Sequence, residues 1–478
     1  MSKIDVLIVG AGPAGLTLAC DLERRGVSCR LIEKLAAPSV GSKGKGIQPR
    51  SLEMFDDLGL IDRIFENGGP YPAMRIYKGA TPVAEHVMYP HHAPTAETPY
   101  PNIMMQPQWK TEQLLRERLI ELGGAVEFDA SFESLEQDAE GVTAAIRKGG
   151  VTETVTASYL VGTDGGRGSV RKAIGVTLDG ETPALDGILI ADVRVDDLDR
   201  GSWHVWTTED GRKVTLCPLP ATDTFQFAAM VGETDTPDLT LEQLQILLDQ
   251  GTRGPQYTLR DMTWISHFRP NVRMASRFRS GRVFLAGDAA HIHTPAGAQG
   301  MNTSVQDVYN LGWKLGAVLD GGDPALLDTY EEERLPIAAA VLKRSDELYD
   351  NAVSDNAADR TPDESQLSLH YRTSSLSGPA NPSTRLQPGD RMPGALLRDA
   401  AGAETALFDL FCGPHGSVLY IDRPADVPPH GSRAYAVGSQ AGAGDMDYSA
   451  SDGALDDLSG RIVAVRPDGY ILSISEQG

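Results

Sequence analysis

The pattern of apolar and polar positions divides the chain into blocks. Residues 4 to 34 open with "IDVLIVG", a short β-branched run, pass through "AGPAGLTLACDLERRG" with apolar residues at helical spacing, and return to strand in "VSCRLIEK". This is a βαβ unit. "KTEQLLRERLIEL" predicts a helix over 110–122, and the following segments up to "TVTASYLVGTDGG" alternate as strands. Between 181 and 275 the runs "ILIADVRV", "WHVWTT", "KVTLCPL" and "TFQFAAMV" predict a mostly antiparallel sheet inserted into the first domain. "GRVFLAGD" then predicts a strand ending at Asp288, "AAHIHTPAGAQG" a loop, and "MNTSVQDVYNLGWKL" a helix. A long helical stretch follows, then a polar Ser- and Pro-rich run over 354–388 that reads as a linker. The fold class is therefore α/β. A Rossmann-like domain spans 1–178 and 276–353, an inserted sheet domain 179–275 with help from 75–105, and a small α/β domain 389–478.

Composition narrows what such a chain can do. Its 478 residues are 41% hydrophobic and 23% charged, with no apolar run approaching the roughly 18 residues of a membrane span. A net charge of -23 disfavours nucleic acid and anionic membrane as partners. The N-terminal apolar run belongs to a strand and a glycine turn and not to a signal peptide, which predicts a cytoplasmic protein. Cys20, Cys29, Cys217 and Cys412 form no CxxC pair, and the His291, His293 pair has no third ligand nearby in sequence, so no metal is expected.

Three motifs carry chemistry. Gly10, Gly12 and Gly15 stand at GxGxxG spacing, with Pro13 and Ala14 opening the helix, where bare backbone approaches a pyrophosphate. Glu33, followed by Lys34, closes the second strand 18 residues after Gly15, where a carboxylate accepts from ribose hydroxyls. In "YLVGTDGGRGSVRKAIG" a strand runs into Asp164 and two glycines before a helix near Ser169. Asp288 ends a third strand, and beyond Pro295 the N–H groups of Gly300, Met301 and Asn302 open a helix whose positive end suits a ligand that becomes negative.

These motifs, in this order, resemble the single-component FAD-dependent aromatic hydroxylases, over roughly residues 4–345. The resemblance is nearer to the phenol and polyketide hydroxylases that carry a thioredoxin-like C-terminal domain. It implies FAD, with Gly10, Gly12 and Gly15 at the pyrophosphate, Glu33 at the adenosine ribose, Asp288 at the ribityl chain, and Gly300, Met301 and Asn302 at the isoalloxazine. It gives Asp164 and Arg171 a dual role toward FAD and NADPH or NADH. Lys43 and Arg50 in "KGKGIQPRSLE" match a basic pair of the family, and Gln106 in "MMQPQWKTE" a flavin-side glutamine. Lys43 replaces the usual Arg and offers a point charge without the planar fork. Ala298 and Ser304 stand where the family has glycine, and a Cβ at 298 is expected to oppose a positive φ.

The implied chemistry is delivery of hydride from NADPH or NADH to FAD, addition of O2 at C4a, and attack of the resulting hydroperoxide's terminal oxygen on an electron-rich aromatic carbon. The substrate is then a phenolic or polycyclic aromatic small molecule. Two other readings use the same motifs: Baeyer-Villiger oxygen insertion, and a non-oxygenase FAD-binding protein that shapes a redox product. No motif marks a pocket base, so His204, Trp206, Phe225, Phe227 and His267 are pocket candidates only through their predicted place on the inserted sheet. Without CxxC, the C-terminal domain is expected to serve packing or homodimerisation.

Overall fold

A computed structural model describes residues 3–181, 187–232, 237–269, 271–294, 296–353, 362–440 and 446–476. Its first layer is a parallel sheet in the strand order Val283–Leu285, Val151–Gly162, Ile4–Val9, Cys29–Ile32, Val126–Glu127. Strand Ile4–Val9 is central and buried, as a β-branched run between two parallel neighbours requires. Helices Pro13–Arg24 and Gly300–Leu319 pack together on this sheet. The two therefore start side by side, at the carboxyl ends of Ile4–Val9 and Val283–Leu285, where open α/β sheets bind ligands.

The second layer is a seven-stranded sheet in the order Leu259–Phe268, Gly187–Val195, Phe225–Val231, Lys213–Pro218, Ser202–Thr207, Ala73–Lys78, Thr81–His86. All its pairings are antiparallel except Ser202–Thr207 with Ala73–Lys78. Helix Leu241–Thr252, for which the sequence carried no expectation, covers one face and begins at a Thr240 cap whose hydroxyl accepts from Gln243 N–H. The other face looks toward the parallel sheet. The C-terminal thioredoxin-like sheet runs Glu404–Ala406, Leu396–Asp399, Tyr448–Ala450, Ser432–Gly438, Gly416–Ile421, Ile462–Val465, Ile471–Ser475.

The polar run expected to be a linker behaves otherwise over its described part, 362–388. Gln366 is buried and hydrogen-bonds Gln299 and Gln306, while Ser374 donates to Glu333. Part of its polarity serves buried hydrogen bonds that tie it to the rest of the chain; residues 354–361 lie outside the described set. No helix among the described residues is long and apolar enough to cross a membrane.

Candidate active site

Between the parallel sheet and the inserted sheet lies a cavity of about 690 Å³. Its nucleotide end is built by the first turn. Gly10 has φ +107, and a Cβ at Gly15 would sit 1.9 Å from the Gly10 carbonyl oxygen, so both positions demand glycine. Gly12, Pro13 and Ala14 line the cavity, and a Cβ at Gly12 would meet no protein atom within 4 Å, so that space is left for a ligand. Glu33 lines it too, its carboxylate accepting from Ala11 N–H at 2.9 Å and Leu35 N–H at 3.0 Å, with Lys34 and Lys43 alongside. Asp164 caps helix Ser169–Ala173 through Oδ2, while its buried Oδ1 lacks a hydrogen-bond partner at the cavity wall. Asp288, exposed into the cavity just beyond Val283–Leu285, offers a second open acceptor. A bare pyrophosphate turn, unfilled acceptors and a helix start at Gly300 and Met301 are the features FAD needs.

Several expected cofactor contacts are corrected. Arg50 is buried away from the cavity, paired with Glu53 at 2.6 Å and donating to the Asp468 carbonyl of the C-terminal domain, so it ties two domains together. Gln106 is enclosed, donating to the Ile64 carbonyl and accepting from Thr111; its near neighbour Gln108 lines the cavity instead and accepts from Gly44 N–H at 3.0 Å. Arg171 donates to the carbonyls of Val176 and Gly166, whereas Arg167 faces the cavity. Asn302 keeps its expected place in the opening turn of helix Gly300–Leu319, and its side chain knots two loops, accepting from Gln48 N–H at 2.8 Å and donating to the carbonyls of Gly46 and Ala298. Ala298 takes the positive φ expected to be opposed, at +53, and this knot holds it there at a cost of about 1–2 kcal/mol. Pro295 lies outside the described residues.

The pocket candidates on the inserted sheet are also corrected, for a reason of register. In a strand, successive side chains point to opposite faces. His204, Trp206, Phe225 and Phe227 share the face under helix Leu241–Thr252 and are fully or almost fully buried there. His204 is held by the Tyr77 hydroxyl at 2.8 Å and the Asp199 carbonyl at 2.6 Å. His267 pairs with Leu189, a residue of that same covered face. One position away, Ile190, Trp264, Ser266 and Phe268 line the cavity. Asp192 and Gln226 lie on this cavity-side face, register partners of each other, with Asp192 also opposite Trp264. Sequence reasoning missed them, although an acid within "ILIADVRV" and an amide within "TFQFAAMV" are the polar interruptions that mark a strand's functional side.

A family model described as an FAD binding domain matches residues 3–345. The chain is similar to a flavin-dependent monooxygenase of Mycobacteroides abscessus, 42% identical over 481 residues, covering 99% of this chain and 97% of that protein. It also resembles a rifampicin monooxygenase of Rhodococcus hoagii, 32% identical over 99% of this chain and 95% of the relative. The chain belongs to the FAD-dependent aromatic hydroxylases. Their fold is shared over its whole length: aklavinone-11 hydroxylase, solved with FAD and aklavinone, superposes with a TM-score of 0.84 at 26% identity, covering 100% of this chain and 97% of that one.

Within this hydroxylase, buried charge is arranged in two ways. Beside the flavin loop, Asp307 accepts from Gly287 N–H, His291 Nε2 at 2.6 Å and Arg334 Nε at 2.8 Å. Burial opposes its charge, yet His291 and Arg334 hold the carboxyl below its ordinary range. His291 is thereby a structural partner, and among the described residues no cluster of acids, histidines or cysteines could hold a metal. Burial pushes His293, which lines the cavity, toward the neutral form, helped by His291. Asp192 is the opposite case: burial raises its carboxyl to about 6 against the pull of Ser42 and Lys45.

Proposed function

We propose that this monooxygenase consumes NADPH or NADH and O2 to hydroxylate a phenolic or polycyclic, polyketide-like aromatic molecule. The observation that carries the reading is the continuity of one cavity from the dinucleotide turn at Gly12 and Glu33, past Asp288 and the helix start at Gly300, to the wall of Ile190, Trp264 and Phe268. When bound, FAD supplies the redox chemistry, taking hydride from the nicotinamide and activating O2 for transfer of one oxygen atom.

The chain's own residues position and insulate. Gly10, Gly12 and Gly15 would let the backbone reach the pyrophosphate, Lys43 would supply a cation at the same cavity, and Asp288 would offer an acceptor for a ribityl hydroxyl. With FAD bound, the N–H groups at Gly300 and Met301 would be the donors available to negative charge on the ring, in the manner of oxyanion donors. The apolar sheet wall keeps water from the reacting atoms. Asp164 and Arg167, at the same cavity, are the groups we assign to the nicotinamide nucleotide.

The test is NADPH and NADH consumption by the yellow protein with and without phenols, naphthoquinones and anthracycline-like aromatics, together with product mass and connectivity. Stimulated oxidation with one added ring hydroxyl supports the reading. Ring expansion of a ketone would replace it with Baeyer-Villiger insertion, and absence of stimulation by any aromatic would count against oxygen transfer.

A further inference from the structure

The loop 41–46 crosses the cavity between the two sheets, and its two ends do different work. Lys43 lies near Glu112 on the nucleotide side. Lys45 reaches the inserted sheet: its Nζ donates to Gln226 Oε1 at 2.6 Å and lies 3.9 Å from the centre of the Trp203 ring. The next residue, Gly46, packs against Ala298 and the Tyr71 hydroxyl, at the loop that precedes the flavin-facing helix start. Lys45 therefore stands at the cavity wall between the expected ring position and the sheet.

Its surroundings are under-filled. An ammonium has three donors: Gln226 takes one, the Cys217 sulfur stands within reach of a second, and the Trp203 face receives the charge without accepting a conventional hydrogen bond, while the Asp192 carboxyl lies close enough to feel it. Trp203 Nε1 is a buried donor with no partner, and Asp192 Oδ1 a buried acceptor with none. The same sheet residues fix the loop from below: Asp192 Oδ2 accepts from Ser42 N–H at 2.9 Å, and Gln226 Nε2 donates to the Ser42 carbonyl at 2.5 Å. The cation is thus mounted on a polar platform of Gln226 and the Asp192 carboxyl, with one ammonium donor still lacking an acceptor at the cavity wall, a costly arrangement unless a ligand oxygen completes it.

We propose that Lys45 is the specificity-determining cation of the substrate cavity, selecting aromatic molecules that present an ionised oxygen, a phenolate or an enolised 1,3-dicarbonyl, to the sheet wall. Trp203 and Gln226 hold Lys45 in place, and an anionic oxygen there gains a charge-assisted hydrogen bond away from bulk water. Such an oxygen also enriches the ring carbons ortho and para to it, which orients the substrate and activates it together. This deepens the aromatic-hydroxylase reading and rests on it.

The experiment titrates the FAD-loaded full chain with alizarin, a polycyclic phenol whose visible band moves on ionisation, and with its dimethyl ether. At neutral pH the wild type should bind alizarin with the band of the anion. Lys45→Met, with its flavin absorbance intact, should weaken alizarin by about tenfold or more and leave the ether unchanged, and Lys45→Arg should recover much of the loss. Wild-type binding of the neutral form only, no binding of alizarin, or an equal loss for phenol and ether in Lys45→Met would overturn the assignment. If alizarin binds through Lys45 while no aromatic stimulates NADPH or NADH oxidation, the anion site stands and the hydroxylase chemistry falls.

Discussion

Glu333 and Asp192 are both buried carboxylates, and their surroundings could hardly differ more. Glu333 accepts from Arg466 through two nitrogens, at 2.7 and 3.0 Å, and from Lys314, Asn310 and Ser374. Burial opposes its charge, but Arg466 and Lys314 hold it well below the usual carboxylate range. Asp192 has Ser42 on one oxygen and no hydrogen-bond partner on the other. Groups whose valences are closed within the chain hold the domains together, since Arg466 also binds Asp468 and Asp468 accepts from Trp313. Groups that line the cavity, such as Asp164, Asp288 and Lys45, await a ligand, and Asp192 sits behind that wall with one buried oxygen unpaired. The distinction separates what a substitution should do to stability from what it should do to binding.

The largest expected effect lies on the closed side. Glu333→Ala strands Arg466 and Lys314 without their shared counter-ion, and should cost about 3–5 kcal/mol of stability, read from urea unfolding. An unchanged unfolding midpoint would remove the basis of the comparison.

On the open side, Gly12→Val should yield folded protein without yellow colour. Its Cβ would enter space free of protein atoms within 4 Å, on the cavity side of the pyrophosphate turn. Gly15→Val, whose Cβ collides with the Gly10 carbonyl, should lose both fold and flavin. Full FAD occupancy in Gly12→Val would sink the assignment of that end of the cavity. Asp288→Ala comes next: removing one acceptor should weaken FAD by about tenfold, measured by flavin release on dilution, while the melting temperature of the flavin-free form stays put.

These two classes of residue were unequally legible in the sequence. The dinucleotide turn could be read because backbone geometry dictates glycine at 10 and 15, and the positions of Glu33, Asp164 and Asp288 follow from strand ends that local periodicity marks. The inserted sheet could be recognised, but not which face meets the cavity. That parity depends on how Gly187–Val195 and Phe225–Val231 pair, and a one-residue slip exchanges His204 and Phe227 for Trp203 and Gln226. Arg50 was opaque for another reason: its partner Asp468 lies 418 residues away, and no local pattern announces the C-terminal domain's approach. Family spacing alone pointed Arg50 at the cofactor, whereas here it closes a protein contact.

The smallest effect has the opposite sign from the first and therefore tests the comparison most finely. A carboxyl whose folded pKa is raised, here from 3.8 to about 6 by burial, favours folding in its protonated form; that advantage is full below 3.8 and is lost as pH rises through 6. At pH 7.5 the charged Asp192 is thus a liability, only partly relieved by Ser42 and Lys45. Asp192→Asn keeps an acceptor for the Ser42 N–H without the charge, and should raise stability by about 1–2 kcal/mol at pH 7.5. The gain should shrink between pH 6 and 4 and vanish below, where the wild-type carboxyl is itself neutral. A gain independent of pH would assign the effect to packing, and a loss at pH 7.5 would mean that the Lys45 charge closes the Asp192 site as completely as Arg466 closes that of Glu333.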